Sequence, residues 1–528
     1  MNEVVFPTPT TDRSERGSVW KAAALLAVIF FVYGLICYPP PSVGEPYYLG
    51  KAKNYWDPTW CPHDLFFESA NTHLVFYVLF GWLTRFASLT VVSLVLRFAA
   101  MLLLASGWMR LGRSLGYSIS QSLMWASLFL MLQLAPTFAG EWLIGGAESK
   151  LFSYGCLLHC GASFLSGRVY LGAILLGSAI LMHPVVGLWG AIAIGATSFL
   201  TRQRTTSIWV AAPCFALTML VALPGLMPAF AVLSAGGLSP ESNMIADYIQ
   251  VFHRLRHHLD PVSLLMPGWV TYGTMLGLIA ITWPMSKAAV SPVMRFFLWT
   301  MVIAVAGLAI GYAVHPKDYN AYAAMFAEHP TLMKLAMTCL KVYPFRVFDL
   351  AVPMTLALLV MDLASRPMSQ RMFNRVLPLG IAGLLIAASL IPMDSKNPSF
   401  LKPEKSQNWV KTCHWISENL PAEDVFIMPF VDWAFHWHAS RSQYVSYKNM
   451  PQDAGRLIEW NRRLTLATQW REKAFADKVV TREELAELEK QTQAEYLISD
   501  QAVSFEGEVV YRMGEYQVVS LAGAQGSE

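Results

Sequence analysis

The chain has 528 residues, 55% of them hydrophobic and 14% charged, where a soluble globular domain carries roughly 25% charge, so a purely soluble protein is excluded. The charge is uneven: of 39 basic and 36 acidic residues, 35 fall in the last 136 positions and 40 in the first 392. A net charge of +3 without a long Lys/Arg run excludes nucleic acid as a partner. The chain therefore reads as a polytopic membrane body followed by a water-soluble domain.

Residues 1–18 form a cytoplasmic tail. The first apolar segment, 19–38, is preceded by Arg13 and Arg16 and contains Lys21, which by the positive-inside rule keeps the N-terminus in the cytoplasm. Pro39-Pro40-Pro41 follows it rather than a small-residue cleavage site, so the segment is expected to be retained. Residues 74–88 are short and carry Arg85, which predicts a helix along the membrane surface. Crossings are expected at 91–108, 116–136, 151–167, 169–182, 186–200, 207–227, 267–285, 294–314, 345–363 and 376–392. Arg110, Arg113, Arg168, Arg202, Arg204, Lys287, Arg366, Arg371 and Arg375 mark the inner turns. This gives an α-helical polytopic protein with about 11 transmembrane helices, give or take two, because 169–182 and 186–200 are shorter than the ~20 residues of a full crossing. The membrane domain spans 19–392, with long outer loops at 39–90, 137–150, 228–266 and 315–344. An odd count places the soluble part, 393–528, outside, in a multi-pass protein of the cell inner membrane.

That last part alternates helical and strand periods. WVKTCHWISENL (409–420) and TREELAELEKQ (481–491) read as helices, the second with Thr481 and Glu484 in capping-box spacing. DVFIMPF, QYVSYKN, EYLISD and EVVYRMGEYQVVSL read as strands, giving an extracytoplasmic α/β domain. Among the seven cysteines, Cys37 and Cys61 flank the first outer loop and are a candidate disulfide, while Cys156 and Cys160 sit at packing distance on a helix.

Most acids of the membrane body fall in the outer loops, Asp362 at the inner end of a span being the exception, and insertion does not explain that bias. In the first loop Glu45 lies a few residues beyond the first span, where reduced solvation raises a carboxylate's basicity. Asp57 and the pair His63-Asp64 follow as a second carboxylate, a cation ligand or a sugar contact. Acids merely solvated or paired with Lys51 and Lys53 are the alternative. Glu148 and Lys150 in the second loop converge on one ligand if extended, and Lys150 snorkels if it begins a helix. His183, before Pro184, either faces the same cavity or caps its turn.

HRLRHHLDP (253–261) is the densest polar cluster of the body. Arg254, Arg256, His257 and His258 supply donors for a phosphate or, alternatively, a metal site, although no zinc spacing is present. Arg346 and Asp349 stand at i,i+3 in YPFRVFDL (343–350), paired with each other or with Arg346 turned to a lipid phosphate. Metal and cofactor requirements stay open between none and a divalent cation.

GEPYYLGKAKNYWDP (44–58), the segment 73–116, GGAESKLFSYG (145–155), ILMHPVVGLWG (180–190), RLRHHLDP and YPFRVFDL together resemble the GT-C superfamily of membrane glycosyltransferases. They are nearest an uncharacterised bacterial group with an outer C-terminal domain like WISENLPAEDVFIMPF followed by SRSQYVSYKNMP. The resemblance implies a catalytic carboxylate early in the first outer loop, so Glu45 takes the place of the acceptor base, with Asp57 and Asp64 next. Gly44-Glu45-Pro46 departs from the Asp, or Asp-Glu pair, of many relatives. It further implies transfer of a sugar from a polyprenyl-phosphate donor to an acceptor on the outer face, an inverting reaction, in contact with the bilayer. The alternative from another class is a non-catalytic transport or scaffold protein. Sugar, acceptor and oligomeric state are not readable.

Overall fold

In the computed structural model, residues 13–200, 207–233, 238–429 and 431–521 are described; the expected markers Arg202 and Arg204 lie outside them. Every apolar segment expected above is helical: Arg13–Cys37, Leu74–Phe80, Leu89–Ser114, Ile119–Leu132, Ser149–Leu165, Val169–Met182, Pro184–Leu200, Ile208–Leu233, Met266–Thr282, Ser291–Val314, Arg346–Ala364 and Gln370–Leu390. Among the described residues six helices are long and apolar enough to cross a membrane: Gly17–Cys37, Leu89–Ser114, Ile208–Val232, Ala288–Val314, Arg346–Ala364 and Arg371–Leu390. The other five expected crossings are shorter: Ile119–Leu132 and Val169–Met182 have 14 residues, and Ser149–Leu165, Pro184–Leu200 and Met266–Thr282 have 17, which at 1.5 Å per residue reach roughly 21–26 Å of a ~30 Å hydrocarbon layer.

Packing groups the chain into two compact units that do not follow chain order. One comprises residues up to 38, 94–229 and 250–393; the other comprises 39–93, 230–249 and 394 onward. In the first, the Arg346–Ala364 helix packs at once against Ile119–Leu132, Met266–Thr282 and Ser291–Val314. Its placement explains its chemistry. Polar groups along it are satisfied by neighbours, as Trp125 Nε1 donates to the Met354 carbonyl at 2.9 Å. At its far end buried Asp362 accepts from Tyr117 Oη, the Lys287 N–H and Arg366.

The second unit is built around a five-stranded mixed sheet. Its strands are β1 (Val425–Ile427), β2 (Ser442–Gln443), β4 (Tyr496–Ser499), β6 (Val509–Met513) and β7 (Tyr516–Ser520), in the order β2-β1-β4-β7-β6. β3 (Val479–Val480) and β5 (Ser504–Phe505) form a separate parallel pair. β1 runs parallel to β2 and β4, and β7 antiparallel to β4 and β6. The β6–β7 hairpin turns on Gly514 at φ +58°, a left-handed position that glycine adopts without a Cβ clash. The Pro403–Asn419 helix lays Trp409, Cys413 and Ile416 on the sheet core with Phe426, Phe435 and Tyr516. The Arg482–Thr492 helix begins with the full Thr481/Glu484 capping box.

Much of the segment 39–93 is helical and belongs to this unit. Glu45–Trp56 is a helix with Pro46 in its first turn, and Leu74–Phe80 continues as a 3₁₀ turn to Arg85, leaving Val78, Leu79, Trp82 and Phe86 exposed. Cys37 and Cys61, the candidate pair, are each a buried free thiol.

Candidate functional site

In the first unit a buried polar cluster forms where two apolar helices begin. Ser149–Leu165 starts beside Lys150, with Glu148 as its N-cap residue, and Arg346–Ala364 starts at Arg346; neither N-cap side chain caps its helix. Lys150 Nζ lies 3.3 Å from Glu148 and 3.4 Å from Glu141, and Arg346 Nε lies 3.2 Å from the same Glu141 oxygen. The side chains of Lys150, Glu141 and Glu148 are 5%, 3% and 4% exposed, which removes water screening from their charges. Tyr154 Oη donates to the other Glu141 oxygen at 3.2 Å. Arg346 also faces His183 Nε2 at 3.2 Å and stacks over Tyr343 at 4.2 Å, while Lys150 sits 3.9 Å over Trp142.

The loop that carries Glu141 is fixed by Asp349, whose carboxylate accepts the N–H groups of Phe138, Ala139 and Glu141 at 2.8–2.9 Å. Asp349 and Arg346 therefore each have other partners. Gly140 follows the same fold at φ +76°, and a Cβ there would come within 2.5 Å of the His258 ring, whose Nδ1 lies 2.6 Å from the Ala139 carbonyl.

The third-loop cluster divides. Arg254 is buried, His258 half-buried, and Arg256 and His257 exposed. Arg254 acts on Tyr343: burial raises the Tyr343 phenol, and Arg346 and Arg254 oppose that rise. Tyr343 holds φ +53°, an uncommon backbone for a bulky residue and of a kind that gathers at functional sites. Glu148, Lys150, His183, Arg254, His258 and Arg346 are thus drawn around one place.

Glu45, Asp57, His63 and Asp64 belong to the second unit. Glu45 is fully buried in the first turn of its helix, accepting the Ser42 N–H at 2.8 Å and the Ser93 hydroxyl at 2.5 Å. Asp57 accepts from the Thr59 hydroxyl. His63 and Asp64 diverge, because His63 is exposed at φ +66° whereas Asp64 is buried. Asp64 accepts the N–H groups of Phe66 and Gln443 at 2.9 and 3.0 Å, tying loop to sheet. Burial raises its carboxyl to about 6, backbone N–H donors opposing. Lys51 is buried too and donates to the carbonyls of Phe66, Phe67 and Ser69 rather than standing as a solvated partner of the loop acids.

Sequence reasoning did not single out Glu141, Tyr154 or Tyr343. Glu141 was visible as an outer-loop acid, but that it bridges two cations depends on Asp349, 208 positions away. No group of three or more His, Cys, Asp or Glu side chains is arranged to hold a metal ion among the described residues.

A family model described as a domain of unknown function (DUF6798) matches residues 407–467, within the sheet-bearing unit. No curated protein matches the chain. Among solved structures the chain is similar to the Archaeoglobus fulgidus oligosaccharyltransferase. The apo form aligns at TM-score 0.44 and 13% identity, over 93% of this chain and 70% of that one. The complex with an inhibitory peptide and a dolichol-phosphate aligns at TM-score 0.43 and 13% identity over the same shares. The complex with zinc and sulfate aligns at 0.41 and 13%, over 91% and 68%. At these values the likeness concerns the layout of the chain and carries nothing about residues or chemistry.

Proposed function

We propose that the chain is a GT-C-type glycosyltransferase that moves a sugar from a polyprenyl-phosphate carrier to an acceptor on the outer face of the inner membrane. The observation that carries this reading is the meeting of Lys150 and Arg346 on Glu141 at the uncapped beginnings of two apolar helices. The helix dipole makes such ends positive. An ammonium and a guanidinium added there, in a dry place, suit a phosphate. Glu141 and Glu148 hold the two cations apart from water until the phosphate replaces a carboxylate. As the sugar leaves, charge grows on the carrier phosphate, and cations already aimed at it lower that barrier. His183, Arg254 and His258 extend the donor set, with Arg256 and His257 at its exposed edge. Glu45 is the acceptor base by resemblance, with Asp57 and Asp64 next in order.

A non-catalytic transport or scaffold role draws on a different feature of the same cluster. Two glutamates face two cations, and a network so balanced also stands as pure structure. Transfer from a panel of polyprenyl-phosphate sugars by the purified full-length chain separates the two readings. Sugar transfer that is lost in Arg346→Ala supports the enzyme; neither transfer nor carrier-phosphate binding supports the scaffold.

A further inference from the structure

A cavity of about 290 Å³ lies inside the first unit. It follows one face of the Ser149–Leu165 helix, lined by Tyr154, Leu157, Leu158, Gly161, Phe164 and Leu165. That spacing is one helical stripe, and the eleven steps of 1.5 Å from Tyr154 to Leu165 give it a length of roughly 16 Å. Only Tyr154, Thr197, Ser291 and Arg295 bring polar side-chain groups to its wall. A narrow, long, apolar space among membrane-length helices fits a hydrocarbon chain and gives a compact polar metabolite nothing to bond.

The two ends differ. At the Tyr154 end the wall is buried, and the Tyr154 hydroxyl is already bonded to Glu141 beneath the ion cluster. At the opposite end Ser291 and Thr197 are half-buried and Arg295 is exposed, one turn into the Ser291–Val314 helix. Among the described residues the exposed wall residues are Ala288 and Arg295, and Gly307, about three turns beyond Arg295 on the same helix, packs on Pro344 and Phe345 beside Arg346. The Ser291 N–H is bonded to the Ala288 carbonyl and Pro292 has none, so the Arg295 guanidinium is the charged group of this part of the wall.

We infer that this cavity holds one acyl chain of an anionic membrane phospholipid, with its phosphate on Arg295. This lipid is distinct from the sugar carrier and does not depend on the glycosyltransferase reading. The apolar wall supplies chain burial, and the single exposed guanidinium at the mouth selects the headgroup charge.

The test is photolabelling of the full-length chain in nanodiscs with phosphatidylglycerol bearing a diazirine on one acyl chain, followed by peptide mapping. Label is expected on 154–165 and 347–354. Gly161 has its nearest neighbour at 3.7 Å from a built Cβ, so Gly161→Trp fills the cavity and should remove that label while leaving background label elsewhere. Arg295→Ala should lower it about tenfold, and Arg295→Lys should restore most of it. Arg295 is exposed, so its variants report even if Gly161→Trp fails to fold. Label spread over Ile208–Val232 without enrichment on 154–165 overturns the proposal. Equal labelling by the phosphatidylcholine probe overturns the headgroup assignment, and displacement by polyprenyl phosphate as effective as by phosphatidylglycerol reassigns the cavity to the carrier.

Discussion

At Arg346 a carboxylate, an imidazole and a phenol face share one guanidinium, so its removal leaves Glu141 with Lys150 and Tyr154 alone. Arg346→Ala should therefore weaken carrier-phosphate binding first and lower stability as well, since breaking a buried pair costs about 3–5 kcal/mol at its largest. Glu45→Gln makes the contrast. Its amide oxygen still accepts the Ser42 N–H, and its NH₂ donates to the Ser93 hydroxyl, which accepts as readily as it donates. The fold should hold and donor binding survive, while turnover falls by roughly 10²–10⁴ if Glu45 is the base. Full transfer by a folded Glu45→Gln would end that assignment. Asp349→Asn tests how the site is held. It turns an NH₂ toward N–H donors that now meet an oxygen, so a melting-temperature loss worth about 1–3 kcal/mol is expected, with weaker carrier binding although the substituted amide itself would touch no carrier phosphate. Unchanged binding would show that Asp349 does not position Glu141.

Among elements, the apolar helices were legible because twenty apolar positions in a row leave the backbone only one way to satisfy itself in lipid. The hairpin at Gly514 and the helix after Thr481 were legible from turn and cap chemistry. The Glu45–Trp56 helix was read as loop, since Pro46, Gly50 and its aromatic residues lower local helix propensity. Its stability comes instead from packing on a segment almost four hundred residues away: His436 Nε2 lies 2.8 Å from the Pro46 carbonyl, and Gly50 gives the ring room. The second strand suffered the opposite error. QYVSYKN alternates well, yet only Ser442–Gln443 pairs, because Trp460 and Arg463 take the carbonyls of Ser446 and Tyr444. Of the site, residue types and loops were readable, but the partner of each charge was not. Gly50→Ala probes the docking directly. Its Cβ would stand 2.7 Å from His436 Nε2 in a ring wedged against Trp60 and Phe67, so thermal melting should report a loss of roughly 1–3 kcal/mol. A neutral result would mean that the helix shifts freely on the sheet unit.

For the whole molecule, the basic residues between the apolar helices make orientation the first question, and a phosphatase fusion at Ser399 is expected to be active outside the membrane and one at Gln370 silent. The second unit then has a consequence for stability. Its sheet part carries its own core, but loop 39–93 adds bonds from the Ala70 N–H to Asp453, from the Ser442 hydroxyl to the Pro62 carbonyl and from the Gln443 N–H to Asp64. Residues 394–521 joined by a linker to 39–93 should thus melt higher than 394–521 alone. In the joined protein Asp64 couples that docking to pH. Burial raises its carboxyl from 3.8 to about 6, so between these values the folded unit keeps a proton that the unfolded chain has lost. Stability from this group is full below about 4 and declines as pH rises through 6. Asp424 and Asp432, also raised to about 6 by burial, tilt the same way, and His436 and His438, lowered to about 4 by burial, tilt the opposite way. The wild-type profile alone is therefore not diagnostic; the difference from Asp64→Asn is. The wild type's melting advantage over Asp64→Asn should fall by several °C, roughly 1–2 kcal/mol, between pH 4.5 and pH 6.5. An advantage that stays constant, or grows with pH, would show that Asp64 is held ionised at the loop–sheet contact and that its two N–H bonds outweigh burial.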